Sequence, residues 1–288
     1  MNIHISKESS QKTNRPLRIF FRNRYTLIGF ILISVIVLSS VCSGYLTKHD
    51  PIKQGNLLKE RYLEPSPSHL FGTDKFGRDV FSRVLYGGRI SLAIAFSVVL
   101  FAISLGTFYG AFSGYKGGAV DAAMMRFLDI LQAFPAIFLI IAITAIFRLN
   151  HWYLIPMLGL TGWMETARLV RAEVLSVKER DYIQAVKGLG FSHKRILFNH
   201  IIPNCLAPVV VVATLKIGEI ILLESALSFL GLGVQPPTPS WGNIINDGRD
   251  VLLRAWWIST FPGFFIVLSV MSFNVLGEGI RKSLNIKG

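Results

Sequence analysis

The sequence predicts an all-α membrane protein with six transmembrane helices, and two observations lead to this class. First, 51% of the 288 residues are hydrophobic and 16% are charged, whereas about 25% of the residues in a soluble domain are charged. Second, several apolar runs reach the roughly 20 residues that a helix needs to cross the hydrocarbon of a bilayer. A soluble fold would have to bury this apolar surface, whereas a bilayer covers it directly.

The predicted spans are the runs Leu27–Leu46, Ile90–Tyr109, Ile130–Phe147, Trp152–Met164, Cys205–Leu232 and Ala255–Gly277. No A-x-A cleavage site follows the first run, so it is predicted to be an uncleaved anchor and not a signal peptide. The fourth run is short, but Glu165 and Thr166 can complete it near a membrane interface. The fifth run contains three ionisable residues, and the last contains none.

The basic residues predict the orientation of the spans. An even number of spans places both termini on one side, and the side richer in Lys and Arg faces the cytoplasm. Because basic residues are concentrated in the N-terminal tail and between the fourth and fifth spans, both termini are predicted to be cytoplasmic in a multi-pass protein of the inner membrane. The net charge of +13 is therefore interpreted as a topology signal and an attraction to anionic lipid, and nucleic-acid binding is not expected.

The spans divide the chain into segments. Residues 1–26 are expected to form a basic tail, disordered over its first 14 residues, in which Pro16 begins a short interfacial helix. The remaining segments are the first helix over 27–46, an extracytoplasmic loop over 47–87, a core of five helices over 88–277 that contains a polar segment over 172–204, and a cytoplasmic tail over 278–288.

The polar segment between the fourth and fifth spans has a helical pattern. One face of a helix over Glu179–Leu189 carries Tyr182, Ala185, Val186 and Leu189. Gly188 and Gly190 then predict a sharp bend, because glycine adopts left-handed backbone at little steric cost. The pattern therefore predicts a helix followed by a turn, and not a slack connector.

A second short helix is predicted after the bend. Ser192 is a plausible N-cap for His193–His200, and Pro203 is expected to end this helix before the next span. Two short amphipathic helices at an angle form a knob that a partner's groove can hold. Periodicity alone supports equally an amphipathic loop lying on the inner leaflet, and it supports least a helix-turn-helix DNA reader, because both ends are tethered to the membrane.

Residues of this segment resemble the EAA loop of permeases in binding-protein-dependent ABC importers. The stretches are Gln184-Ala185-Val186, then Gly190, then Ile201-Ile202-Pro203; the family pattern has Glu, a second Ala, Ile and Leu where this chain has Gln184, Val186, His200 and Ile202. The resemblance implies the type I ABC importer permease fold with a cytoplasmic coupling helix. It assigns docking on the ATPase to Tyr182, Gln184, Ala185, Val186, Gly190, Ile201, Ile202 and Pro203.

Two further stretches, Phe71–Asp79 and Ser228–Gly242, are similar to the C-type permease of the peptide/nickel importer subfamily. The resemblance implies a second homologous permease subunit, two ATPase subunits and an extracytoplasmic solute-binding protein as partners. It implies a small peptide, a nickel or other metal complex, or a metallophore such as an opine-type compound as cargo. ATP and Mg²⁺ are then expected on the ATPase subunits, and no cofactor is expected on this chain.

The residue chemistry of the same stretches also predicts structure. Thr73–Arg83 combines a charged face with an apolar one, which favours holding the outer loop in place over contacting an external partner. The Pro- and Gly-rich run after Leu230 ends the fifth span. Asn243–Leu253 is then expected to be a short polar helix near the mouth of the pore.

Three ionisable residues in the fifth span are candidates for a translocation path. Lys216 and Glu219 are three residues apart and share a helix face, so they can form an ion pair that only orients the helix. Such a structural pair is favoured over direct contact with solute. Glu224 lies on a different part of the helix, and it matches the subfamily pattern where the other two do not.

Other activities have little support. The chain lacks the G-x-x-x-x-G-K-[ST] motif that holds ATP and the H-E-x-x-H motif of zinc proteases. Its six histidines show no metal-site spacing, and its two cysteines are interpreted as small apolar side chains. No catalytic or metal site is therefore expected, and the competing classes are an ion-gradient-driven secondary transporter and a membrane scaffold or enzyme.

Overall fold

A computed structural model describes residues 23–146 and 151–284, and all regular elements in these ranges are helical. The interfacial helix predicted near Pro16 lies outside the described residues. The helices are α1 Arg24–Val41, α2 Ser43–Leu46, α3 Val80–Lys116, α4 Gly118–Gln132, α5 Ala136–Ile146, α6 Leu154–Lys178, α7 Asp181–Gly188, α8 His193–Ile196, α9 Ile202–Phe229, α10 Trp241–Gly248 and α11 Trp257–Ser283. A π-helical turn, Leu197–Ile201, joins α8 to α9.

Four helices of the described chain are long and apolar enough to cross a membrane: α1, α3, the run His193–Phe229 that includes α9, and α11. They coincide with the first, second, fifth and sixth predicted spans. The third predicted span falls partly on α5, which has 11 residues and ends next to the undescribed residues 147–150. The fourth, Trp152–Met164, begins in a 3₁₀ turn over His151–Tyr153 and otherwise lies within α6. Helix α6 continues for a further 14 residues beyond Met164 to Lys178.

Helices α3 and α6 pack closely through a row of glycines on α3. Gly106, Gly110 and Gly114 are four residues apart and share one face. A Cβ at Gly106 would lie 2.7 Å from the Thr166 Cβ, and one at Gly114 would lie 2.9 Å from the Arg171 carbonyl oxygen. Small residues at this spacing let two membrane helices approach each other closely, so the row fixes α6 against α3.

The loop 47–79 and α10 together form a cap over one end of the helices. In α10, Ser240 and Asn243 form a capping box, in which each side chain accepts from the other's backbone N–H. The Trp241 side chain is fully buried, and its Nε1 donates to the Val84 carbonyl at 3.0 Å. Trp257 Nε1 donates to the Thr73 carbonyl at 3.1 Å. These contacts connect α10, α11 and the loop to the start of α3.

A buried network of charges holds the loop to α10. Arg78 Nε lies 2.7 Å from Asp74 Oδ2, and the same arginine contacts Asp247 of α10 at 3.1 Å. Arg83 pairs with both carboxylates, at 2.9 Å from Asp247. Burial alone raises the pKa of Asp247, but the charges of Arg83 and Lys75 outweigh it and hold that pKa below its ordinary value. The structural role predicted for Thr73–Arg83 is confirmed by these contacts.

The element after the fifth span differs from its predicted bounds. α9 ends at Phe229, and Gly231 has a left-handed φ of +77°. The predicted short helix begins at Trp241, two residues before Asn243, because the capping box of Ser240 starts it there. Its buried face makes it part of the cap.

Candidate coupling site and translocation path

The bend predicted after α7 is a Schellman motif. The Gly190 N–H donates to the Lys187 carbonyl at 3.0 Å, and the Phe191 N–H donates to the Val186 carbonyl at 3.5 Å. Gly190 has a φ of +78°, the left-handed conformation that this motif requires and that glycine adopts without a Cβ penalty. The glycine of the EAA-like pattern therefore ends α7 for a local backbone reason.

Helix α7 buries one residue and leaves most of its predicted apolar face open. Ile183 is fully buried and Val186 packs partly against the same cluster, whereas Tyr182 is 40% and Leu189 75% exposed. Ala185 is exposed as well. Sequence analysis did not single out Ile183, although it lies three residues before Val186. The exposed part of the predicted face is thus directed away from the chain's own core.

Gln184 makes a hydrogen bond that the ionised glutamate of the family pattern could not make. Its Nε2 donates to the Lys178 carbonyl at 2.9 Å. Lys178 is the last residue of α6, where backbone carbonyls lack partners within the helix. A carbonyl only accepts hydrogen bonds, so an amide can satisfy it and an ionised glutamate cannot. Gln184 therefore fastens α7 to the end of α6.

The connection from the bend to α9 differs from the prediction at Pro203. The Ser192 hydroxyl accepts from the Arg195 N–H at 3.4 Å, so Ser192 is the N-cap of α8, as predicted. Pro203 does not end this helix: it lies in the first turn of α9, after the π-turn. Proline has no N–H to donate to the preceding turn, and a π-turn accommodates that missing bond without a break.

An apolar cluster and several hydrogen bonds attach the candidate coupling segment, Glu179–Pro203 (the coupling segment below), to the spans. Ile183, Ile196 and Ile201 are fully buried in a cluster to which α3, α6 and α9 contribute Ala111, Val170, Val174, Val177, Cys205 and Val209. Next to it, the Tyr115 hydroxyl lies 2.7 Å from His193 Nδ1. If the segment moves, these contacts can transmit the movement directly to α3, α6 and α9.

A charged pair joins α4 to α6 beside this cluster. Arg171 donates to both carboxylate oxygens of Asp121, at 2.6 and 2.5 Å, and the Ser113 hydroxyl donates to the same carboxylate at 2.5 Å. The bond from Arg171 lowers the pKa of Asp121. The pair ties the helix after α3 to the end of α6, from which the coupling segment begins.

The structure changes the pairing expected for Lys216. Its Nζ lies 2.6 Å from Glu165 Oε2 on α6 and 3.9 Å from Glu219 Oε2. The Lys216 side chain is 8% exposed, whereas those of Glu165 and Glu219 are 69% and 66% exposed. The main partner therefore comes from a different helix, 51 residues away along the chain, and sequence spacing carried no sign of it.

Glu224 is part of a buried polar site away from Lys216. Its side chain is fully buried, and the Ser228 hydroxyl donates to its Oε1 at 2.7 Å. Its second oxygen, Oε2, is buried without a hydrogen-bond partner among the described residues. The three candidates of the fifth span thus form two sites, an open one at Lys216 and Glu219 and a closed one at Glu224.

Comparisons with known proteins identify the family. The profile of the family "Binding-protein-dependent transport system inner membrane component" matches residues 102–286. The dipeptide transport system permease protein DppC of Alkalihalophilus pseudofirmus is 40% identical over 92% of this chain and 87% of its own length. The oligopeptide transport system permease protein OppC of Haemophilus influenzae is 37% identical over 94% of this chain and 87% of its own.

The fold is also similar to that of a solved transporter. Inward-facing MetNI, a methionine ABC transporter, contains a chain that matches with a TM-score of 0.55 and 16% identity, over 72% of this chain and 98% of that one. The similarity establishes the ABC importer permease fold that the EAA-like loop implied. The chain therefore belongs to the family of binding-protein-dependent transport system inner membrane components, as a non-catalytic permease subunit of the C-type branch that includes DppC and OppC.

Proposed function

We propose that this chain is one of two permease subunits in an importer that carries small peptides across the cytoplasmic membrane. Two ATPase subunits would drive it, and an extracytoplasmic solute-binding protein would deliver the cargo. The names of the relatives favour a peptide, and the nickel and metallophore alternatives have no counterpart among the names of these relatives. In this proposal the coupling segment is cytoplasmic, as are both termini, and the cap is extracytoplasmic.

The observation that carries the proposal is the coupling segment Glu179–Pro203. Its exposed face offers Tyr182 and Leu189 to a partner, while its buried face packs on residues of α3, α6 and α9. A surface that docks on an ATPase and transmits its movement needs two properties: an open contact face and a rigid attachment to the membrane helices. A passive connector on the membrane surface would need neither the Schellman bend nor the bond from Gln184 to α6.

The open charge site at Lys216 supports a path for peptides. Glu165 and Glu219 present exposed carboxylates on either side of a nearly buried ammonium. A free peptide carries an ammonium at one end and a carboxylate at the other, so it can exchange ion pairs with this group as it passes. Ionisable residues within membrane helices usually face protein or a water-filled cavity and not lipid. We therefore place these exposed carboxylates along the water-filled path of the cargo.

The test is reconstitution of the complete transporter in liposomes with a labelled dipeptide. We expect ATP-dependent uptake when the receptor, both permeases and both ATPases are present, and none with this chain alone. Uptake by this chain alone along an ion gradient would contradict the proposal and favour a secondary transporter. Replacing Glu165 or Glu219 by Gln should change peptide uptake more than membrane insertion, whereas Glu278→Gln, in an exposed helical pair, serves as the matched control.

A further inference from the structure

Two histidines and an aspartate that lie far apart in the sequence come together in the cap. His49 follows α2, His69 lies in the loop, and Asp79 is the N-cap of α3. One potential ligand atom from each lies within 4.8 Å of the others. Their spacings of 20 and 10 residues match no metal motif, so the cluster could not be predicted from spacing. We propose that His49, His69 and Asp79 bind a divalent transition-metal ion of the Zn²⁺ or Ni²⁺ class.

The distances within the cluster are close to those of a bound ion. His69 Nδ1 lies 2.9 Å from Asp79 Oδ1. Two ligands of a tetrahedral zinc ion, each about 2.0–2.2 Å from the metal, are about 3.3 Å apart. These two atoms therefore need to separate by only a few tenths of an ångström to admit an ion between them. The His49 ring stacks on that of His69, with 4.7 Å between ring centroids, and its side chain is exposed.

Hydrogen bonds set the orientation of both imidazole rings. A carboxylate and a carbonyl only accept, so His69 Nδ1 donates to Asp79 and His49 Nε2 donates to the Ser68 carbonyl at 3.1 Å. For His49, the Ser68 carbonyl is an acceptor of the kind that orients the histidines of metal sites, and it leaves Nδ1 for the ion. When the ion binds between His69 Nδ1 and Asp79, the imidazole proton moves to Nε2, so the ring stays neutral and no proton is lost from it.

The surroundings of the cluster favour a cation. The cluster lines a cavity of about 240 Å³ whose other charged residues are Asp50, Glu60 and Lys53. Three carboxylates, those of Asp50, Glu60 and Asp79, therefore line this cavity against one ammonium, that of Lys53, and water can complete the coordination. Imidazole nitrogens select Zn²⁺, Ni²⁺ and Cu²⁺, whereas Mg²⁺ and Ca²⁺ prefer oxygen ligands throughout.

Metal binding would connect two spans through the cap. The second oxygen of Asp79 accepts from the Ser82 N–H and hydroxyl at 2.8 and 2.7 Å and so caps α3. His49 lies just beyond the end of α2, which follows α1. An ion held by both residues would fix the start of α3 to the end of α1–α2. This inference concerns the cap alone and does not depend on the coupling role or on the cargo.

The test is a titration of the purified full-length chain, free of any affinity tag, with ZnCl₂ by isothermal calorimetry. We expect one saturable site whose affinity falls at least about tenfold in His49→Asn and in His69→Asn, because each removes a ligand. His200→Asn, which alters a histidine far along the chain on the π-turn, is the matched control and should bind like the parent.

A second measurement distinguishes loss of a metal ligand from misfolding of the variant. Since His49 is exposed, His49→Asn should keep the parent's melting temperature without metal and lose the rise in melting temperature that ZnCl₂ gives the parent. Absence of saturable zinc binding in the parent would overturn the proposal. Equal binding by the parent and both histidine variants, or an equal response to MgCl₂, would also overturn it.

Discussion

The cap and the coupling segment are both built around glycine-containing turns, but they use opposite means to hold their shape. In the cap, four charged side chains are buried together, and Trp241 is fully enclosed with its indole N–H bonded. In the coupling segment, Ile183, Ile196 and Ile201 are buried against the spans, and Ile183 is the only one of them on α7, which is otherwise shaped by backbone motifs. The cap is therefore fixed by its interior, whereas the coupling segment is fixed at its two ends and leaves a face free.

The largest expected effect lies in the cap network. Arg83→Ala removes the cation that pairs with both Asp74 and Asp247, at a side chain that is 1% exposed. Breaking a buried pair by removing one partner costs about 3–5 kcal/mol, so the variant should melt many degrees below the parent in detergent. Asp250→Asn, in an exposed pair with Arg249, is the control and should change the melting temperature little. Equal melting of both variants would mean that the network does not hold the cap.

A pair of alanine substitutions compares the two regions at their glycines. A Cβ at Gly242 would lie 2.7 Å from the Ser225 Cα, whereas one at Gly190 meets no atom within 4 Å. Gly242→Ala should cost about 1–3 kcal/mol through overpacking, and Gly190→Ala only the left-handed strain, about 1–2 kcal/mol. Thermal melting compares the two, and limited proteolysis locates the change. New proteolytic cleavage in the cap of Gly190→Ala would show that the cap and the coupling segment are not independent.

Gln184 provides a smaller test of how α7 is attached. Gln184→Ala removes its hydrogen bond to the end of α6, with an expected cost of about 1 kcal/mol. Gln184→Glu should cost at least as much, because a carboxylate repels the carbonyl that the amide satisfied. Hydrogen exchange should show faster exchange of the α7 amides and unchanged exchange in the cap. Identical exchange in the parent and in both variants would show that this hydrogen bond does not hold α7 to α6.

The smallest expected effect concerns pH. The pKa of Asp121 is lowered by its bond from Arg171, so the folded state holds this carboxylate ionised to lower pH than the unfolded chain does. The stability that the pair contributes is present above the ordinary Asp pKa of 3.8 and is lost as pH falls through the lower, folded-state value. The difference in melting temperature between the parent and Asp121→Asn should therefore shrink as pH is taken below 3.8. A difference that stays constant with pH would argue against this pair.

The sequence predicted what depends on neighbours in the chain. The bend at Gly190 and the cap at Ser192 follow from backbone preferences within a few residues, and both were predicted. The glycine row of α3 is a further local pattern, because four-residue spacing of small residues is a known signal of close helix packing. Each of these features is a local pattern.

Partners that only the tertiary fold brings together were not predictable from one sequence. Glu165 reaches Lys216 from another helix, and Asp247 meets Arg83 across 164 residues. The sequence pairing of Lys216 with Glu219 was reasonable on one helix, but helix spacing cannot weigh a neighbour that tertiary packing brings closer. The continuation past Pro203 was missed for a similar reason, since a π-turn and a proline in the first turn together preserve the helix.

The most direct test of the central claim is solute-stimulated ATP hydrolysis by the reconstituted complex carrying Gly190→Asp. The site has open space around it, so the aspartate should leave insertion and pairing with the second permease intact. It should strain the bend and place a charge beside the docking face, so we expect loss of ATPase association or of solute-stimulated hydrolysis. Lys194→Ala, at an exposed position nearby, should behave like the parent. Full transport with normal ATPase binding by Gly190→Asp would contradict the account and reduce Glu179–Pro203 to a passive connector.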